Sequence, residues 1–180
     1  MSLMRQDALN PILRLERVIS IFSISSNGFR MVNVRNVQSA SLIEKVSEEL
    51  QKDDRIMVPE WVDLLKAGIH REKSWTQPDW YHRRMASTLR KVYLKGPIGI
   101  SRLSAEYGGR VDRGSQKYHP ARGSRFIVRH MLEELERLGY VKKDQKGRSI
   151  SPKGESFLSK VSADIVKNLV EKDEKFKKFM

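Results

Sequence analysis

Between Pro78 and Gly96 the apolar residues Tyr81, Met85, Leu89 and Val92 recur about every third or fourth position. That spacing marks one stripe of a helix with 3.6 residues per turn, and the stripe is the face expected to meet a core. Thr76 and Asp79 have the spacing of a capping box, Pro78 suits a first turn, and Gly96-Pro97 ends the segment. The same reasoning predicts a helix over Leu42–Leu50 opened by a Ser41/Glu44 capping box, with Leu42, Ile43, Val46 and Leu50 inward. A short helix is predicted over Val58–Lys66, with Pro59 at its first position and Trp61, Leu64 and Leu65 inward.

Residues 69–77 read as a polar connector. Ser101 can cap a helix of about two turns that stops at Gly108-Gly109. A basic, glycine-rich stretch, Arg110–Gly123, shows no period and is predicted to be an irregular loop. Ser124–Leu138 then carries Val128, Met131, Leu132, Leu135 and Leu138 on one face, with Gly139 as its C-cap. Tyr140–Asp144 and Arg148–Ser151 flank a turn at Gln145–Gly147 and predict a small hairpin. Ser151-Pro152 opens a last helix through Phe157, Leu158, Val161, Ile165 and Leu169. This order predicts a mainly α chain of the winged-helix kind, a helix-turn-helix with a small β-hairpin wing, plus additional N- and C-terminal helices.

The domain expectation is an extension over residues 1–30, a single domain over 31–170 and a charged tail over 171–180, frayed or only partly helical. The extension is apolar from Ile12 to Ile24, but Arg14, Glu16 and Arg17 interrupt it and no small-residue cleavage site follows. Met31 is therefore expected as the translation start, making residues 1–30 an over-long beginning. The alternative is a genuine arm that packs on a partner.

Charge changes the picture. The 180 residues hold 35 Lys and Arg against 22 Asp and Glu, a formal net charge of +13 that points to nucleic acid or an anionic surface. There is no cysteine, which excludes disulfides, thiolate metal sites and a thiol nucleophile and suits a reducing cytosol. No run approaches 18 apolar residues, so no membrane-spanning helix is expected. His70, His82, His119 and His130 lack ligand spacing, so neither a metal nor a cofactor is expected. No catalytic constellation is recognisable, and an enzyme is not expected.

The cations have a pattern. Along the central helix Arg84, Lys91 and Lys95 share a stripe with Ser87 and Thr88, flanked by Arg83 and Arg90, and no acid follows Asp79. Like charges at i,i+4 destabilise a helix, so this stripe is expected to face a polyanion; the alternative is an ordinary solvated face, which would normally intersperse Glu. Arg122, Arg125 and Arg129 lie before or within the first half of the Ser124–Leu138 helix, while Glu133, Glu134 and Glu136 fill the second. That order opposes the helix dipole at about 0.3–1 kcal/mol per charge. Phosphate bound at the helix start explains it; the alternative is internal pairing, such as Arg129 with Glu133. Arg110, Arg113 and Lys117 add charge among Gly108, Gly109, Gly114 and Gly123, with Asp112 the only acid there. Those glycines are expected to let a polyanion approach. Tyr118 and His119 could stack on bases or merely order the stretch. Trp61, Trp75 and Trp80 could be stacking platforms. Trp61 and Trp80 lie on apolar faces and are expected in the core, and Trp75, in the polar connector, is the candidate for exposure.

These motifs resemble a known family. Val58-Pro59-Glu60-Trp61-Val62-Asp63, Asp79-Trp80-Tyr81 leading to Arg84–Tyr93, Tyr107-Gly108-Gly109-Arg110, Leu138-Gly139-Tyr140-Val141 and Ser151-Pro152-Lys153-Gly154 are similar, in order, to small-subunit ribosomal protein nineteen of the eukaryotic and archaeal type. The stretch Gly96–Leu103 looks more like archaeal members. The resemblance runs from about Met31 to about Ile165. It implies a winged-helix core with extra helices that binds rRNA in the head of the small subunit and supports rRNA maturation and assembly. It further implies a cytoplasmic, ribosome-associated protein, monomeric when free, whose partners are small-subunit rRNA and neighbouring head proteins. Carried over residue by residue, Arg84, Arg90, Lys91, Arg110 and Arg122 fall on the family's basic surface, with Arg83 and Lys95 as additions. Trp61, Tyr107 and Gly108 fall on positions that look architectural. Residues 1–30 have no counterpart, and Gly114–Arg125 follows the pattern loosely. The alternative function is a winged-helix transcription regulator that binds duplex DNA; a membrane-surface binder would rest on charge alone.

Overall fold

A computed structural model describes residues 33–172; the expectations for residues 1–30 and for the tail beyond Lys172 lie outside the described residues. The elements are a 3-10 turn at Val34–Asn36, α1 (Ser39–Gln51), a 3-10 helix at Glu60–Leu64, α2 (Trp80–Lys95), α3 (Ile100–Glu106), β1 (Gly109–Arg113), β2 (Gln116–Ala121), α4 (Arg125–Arg137), β3 (Val141–Asp144), β4 (Gly147–Ile150) and α5 (Pro152–Lys172). The described part is thus mainly helical, with two antiparallel hairpins, β1–β2 and β3–β4. Residues 43–158 form one compact unit, and among the described residues 33–42 together with 159–172 belong to another. In the latter, Val34, Val37, Leu42, Val161, Ala163 and Ile165 are buried.

Within residues 43–158 the periodic stripes build the core. α2 packs on α4 and β4, and α4 also packs on α3 and β3. Tyr81, Met85, Leu89 and Val92 from α2 meet a core that includes Leu103 of α3 and Ile127, Val128, Met131, Leu132 and Leu135 of α4, all buried. Each such side chain contributes about 1.5–3 kcal/mol through removal from water. Ser124 caps α4, its Oγ accepting from the Ile127 N–H at 3.4 Å, and Gly139 leaves it with φ +78°. The β3–β4 hairpin has the predicted turn, pairing Val141 with Ile150 and Asp144 with Gly147. Ile98 extends it by exchanging two 3.0 Å backbone hydrogen bonds with Arg148. Ser151 Oγ accepts from the Gly154 N–H at 3.1 Å and so closes the start of α5.

Five expectations need correction. One is the Ser101 cap: α3 starts at Ile100 with Gly99 at its N-cap position and no side-chain cap bond, so Ser101 lies inside the first turn. Neither capping box forms as read. α1 starts at Ser39, with the Leu42 N–H on Gln38, so Ser41 lies inside the first turn. Asp79 occupies the N-cap position of α2 without a side-chain cap bond, because its carboxylate is held by Arg83. The segment after Pro59 is a 3-10 helix, not an α-helix. At three residues per turn Trp61 and Leu64 share one face, and Val62 and Leu65 another. Val62 is accordingly buried, while Leu64 is 83% exposed. Finally, Arg110–Gly123 is not irregular: it holds β1 and β2, paired Gly109 to Ala121, Arg110 to Pro120 and Val111 to His119, with a register shift before Arg113 meets Gln116. The turn is closed by Asp112, whose Oδ1 accepts from the Gly114 N–H at 2.9 Å.

Candidate nucleic-acid interface

The cationic stripe of α2 is engaged by neighbouring side chains, with Arg84 and Lys91 half-buried and Lys95 still exposed at its end. The chain leaving α3 lays Tyr107 along it, with the Tyr107 hydroxyl donating to Ser87 Oγ at 3.0 Å and 3.2 Å from Thr88 Oγ1. The Arg84 guanidinium lies 4.0 Å from the Tyr107 ring centre and 5.0 Å from that of Trp75. Lys91 Nζ sits 3.8 Å from the Tyr107 ring centre and donates to the Glu106 carbonyl at 3.2 Å. Glu106 also pairs with Lys95, and reaches Lys91 at 3.9 Å. Arg83 pairs with Asp79 and, at 3.8 Å, with Glu44. Arg90 Nε is buried without a hydrogen-bond partner among the described residues.

The electrostatics follow from this packing. Burial lowers the pKa values of Arg84 and Lys91, since a charged form loses water there. The hydrogen bond from Lys95 holds the Glu106 carboxyl below its usual range, and Arg83 does the same for Asp79. The stripe expected to face a polyanion thus has partners within the chain. α2 contains no acid after Asp79, yet the next helix supplies Glu106.

The hairpin and the start of α4 differ. Arg110, Arg113, Lys117, Arg122, Arg125 and Arg129 are all exposed, and none forms an ion pair with a described residue. The Arg129–Glu133 pair is not made. Glu134 instead binds Arg137 at 2.6 Å, and Glu136 lies 3.9 Å from Arg148. β2 is exposed along nearly its whole length, with Tyr118 63% exposed, while β1 alternates between half-buried Gly109 and Val111 and exposed charged residues. The ribbon is held at its root. Gly123 N–H bonds to Ser104 O at 2.9 Å and Ser124 N–H to Ala67 O at 2.9 Å. The glycines expected to admit a polyanion mostly admit the chain itself. A Cβ on Gly109 would stand 2.7 Å from the His70 ring, and one on Gly123 would stand 2.8 Å from Tyr107 O. Gly114 alone of the four has open space around it.

Sequence reasoning missed two features. Lys142, Lys143 and Lys146 are exposed on the β3–β4 hairpin, a cluster that the repeated lysines around its turn could have flagged. Phe126, at the second residue of α4, is 51% exposed and has no signal in the helix periodicity. Its ring meets Trp61 at 5.1 Å and His130 at 5.2 Å between centres. Trp61 is half-buried at that corner. Trp80 is buried, and Trp75 is not freely exposed but stacks on it at 4.4 Å and 3°. Among the described residues no His, Asp and Glu cluster is placed to hold a metal, and no helix is long and apolar enough to cross a membrane.

Comparison with known proteins gives these surfaces a context. The model of the family described as Ribosomal protein S19e matches residues 33–168. Small ribosomal subunit protein eS19 of Thermoplasma acidophilum is 53% identical over 150 residues, which is 83% of this chain and 100% of that protein. Its counterpart in Thermoplasma volcanium is 50% identical over the same shares. Small ribosomal subunit protein eS19B of Schizosaccharomyces pombe is 33% identical over 138 residues, 76% of this chain and 96% of that protein. A family match across most of the chain, with relatives of this identity covered almost end to end, places the chain in the S19e family of ribosomal proteins.

Proposed function

We propose that this chain is a non-catalytic constituent of the small ribosomal subunit that binds rRNA in the subunit head and supports its maturation and assembly. The observation that carries the reading is the set Arg110, Arg113, Lys117, Arg122, Arg125 and Arg129, six exposed cations without acidic partners among the described residues. Phosphate contacts from such a set position a protein on RNA, whose A-form major groove side chains cannot read. Arg83, Arg84, Arg90, Lys91 and Lys95 form the flank of this surface, where Glu106, Asp79 and Tyr107 already hold most of them. The order of α2, α3, α4 and the β3–β4 wing supports a winged-helix core. The relatives' names support the subunit, and the charge supports the RNA. The protein is monomeric when free and works in the cytoplasm beside head proteins.

Three measurements test this. In sucrose gradients of a cell lysate the chain is expected in small-subunit fractions, and recovery only in the free fractions defeats the proposal. Arg113→Glu with Lys117→Glu is expected to reduce that incorporation while leaving the melting temperature unchanged, since exposed charges away from ion pairs alter stability by less than about 0.5 kcal/mol. With about six phosphate contacts, affinity for rRNA falls by about 10³-fold between 50 and 200 mM salt.

A further inference from the structure

We infer that the aromatic corner of Trp61, Phe126 and His130 seats an unpaired nucleobase of the bound RNA, while Arg125 and Arg129 hold the phosphates beside it. The inference rests on the RNA-binding reading above and names what one part of that surface takes.

The corner is an unfinished piece of packing. Trp61, Phe126 and His130 stand in a triangle with centres 5.1, 4.9 and 5.2 Å apart and planes tilted by 59–67°. The rings brace one another at these steep angles, yet Phe126 remains 51% exposed. The 3-10 geometry aligns Leu64 with Trp61, and Leu64 is 83% exposed. An apolar patch left open beside a polar rim marks a binding surface. The rim identifies the occupant. Arg125 and Arg129 are one helical turn apart, both exposed, and Phe126 lies between them in sequence. Aromatic faces interleaved with cations are the platform on which single-stranded nucleic acid stacks, because every base presents a π-face. A base inside a duplex has its faces covered, so the occupant is an unpaired one. Glu60 and Asp63 share the adjoining face of the 3-10 helix and are exposed. They repel phosphate, so the RNA backbone runs along the α4 side of the corner.

The test uses the full chain and two fluorescein-labelled RNAs of one stem sequence, one closed by an eight-nucleotide unpaired loop and one a blunt duplex. Wild type is expected to bind the looped RNA about 5- to 100-fold more tightly than the duplex. Phe126→Leu, which keeps apolar bulk but removes the π-face, is expected to abolish that difference and leave duplex affinity unchanged. Phe126→Trp is expected to retain it. Arg125→Gln with Arg129→Gln should weaken both RNAs. A Phe126→Leu protein that keeps the full loop preference overturns the inference and turns the corner into a protein-docking patch. Equal binding of the two RNAs by wild type overturns it as well. Failure of wild type to bind either RNA removes the RNA-binding reading itself, a different outcome from losing loop preference alone.

Discussion

Gly123→Ala isolates the contact that roots the β1–β2 ribbon. The added Cβ would lie 2.8 Å from Tyr107 O and 3.1 Å from both Tyr107 C and Tyr107 Cβ, so the obstruction is backbone and cannot swing aside. Neither partner is free to retreat. Gly123 N–H and Tyr107 N–H both bond to Ser104 O, at 2.9 and 3.3 Å, and the Tyr107 ring is fixed by Arg84, Ser87 and Lys91. A methyl group forced into such a contact costs about 1–3 kcal/mol. For a chain of this size that lowers the melting temperature by about 3–10 °C. Gly114→Ala is the control. Its φ is +67° with nothing within 4 Å, so the cost is the left-handed penalty of about 1 kcal/mol, confined to a turn that can open locally. Urea unfolding followed by far-ultraviolet circular dichroism measures both. If Gly123→Ala unfolds within about 0.5 kcal/mol of wild type, or costs less than Gly114→Ala, the root is not rigid and the account of the ribbon fails.

Other outcomes follow from the same packing. Arg84→Ala should destabilise by about 1–2 kcal/mol through lost cation–π contact, and in a Tyr107→Leu background its effect should shrink, as a double-mutant cycle in urea would reveal. Leu64→Ser should change stability by less than about 0.5 kcal/mol, whereas Leu132→Ala should cost about 2–5 kcal/mol; equal losses would refute the 3-10 phase. Stability should fall on acidification below about pH 6.5. Burial lowers the pKa values of His70 and His82, so each stabilises the fold above its unfolded pKa, and that contribution is lost as pH drops towards the folded value. Asp53, Asp79 and Glu106, whose folded pKa values are also lowered, extend the loss through pH 4. A His82→Gln protein should show a flatter melting profile between pH 6.5 and 5.

What the sequence revealed depended on whether a segment had a core to face. α2 and α4 bury Met85, Leu89, Met131 and Leu135, and their periodicity records it. β1 and β2 are largely exposed, so their residues carry no clear alternation, and Pro120, which cannot donate to a ladder, hides the second strand further. The local chemistry of the turn, Asp112 two residues before Gly114, was the signal available. The phase error at Trp61–Leu65 arose because a one-turn segment looks alike at 100° and 120° per residue. The engaged α2 stripe exposes a further limit. Counting charge along one helix cannot anticipate Glu106, which arrives from another helix. The cations of the hairpin and α4 stay exposed as their neighbours turn elsewhere: Asp112 accepts from the Gly114 N–H, and Glu133 makes no ion pair with Arg129.

A ribbon wetted on both faces leaves two rows of backbone groups that a second copy could zip against. Here Pro120 deletes one donor, and Arg110, Arg113 and Lys117 make two such ribbons repel. Pairing of two copies edge to edge through this ribbon is thereby disfavoured, so the hairpin carries its own guard against strand-to-strand association.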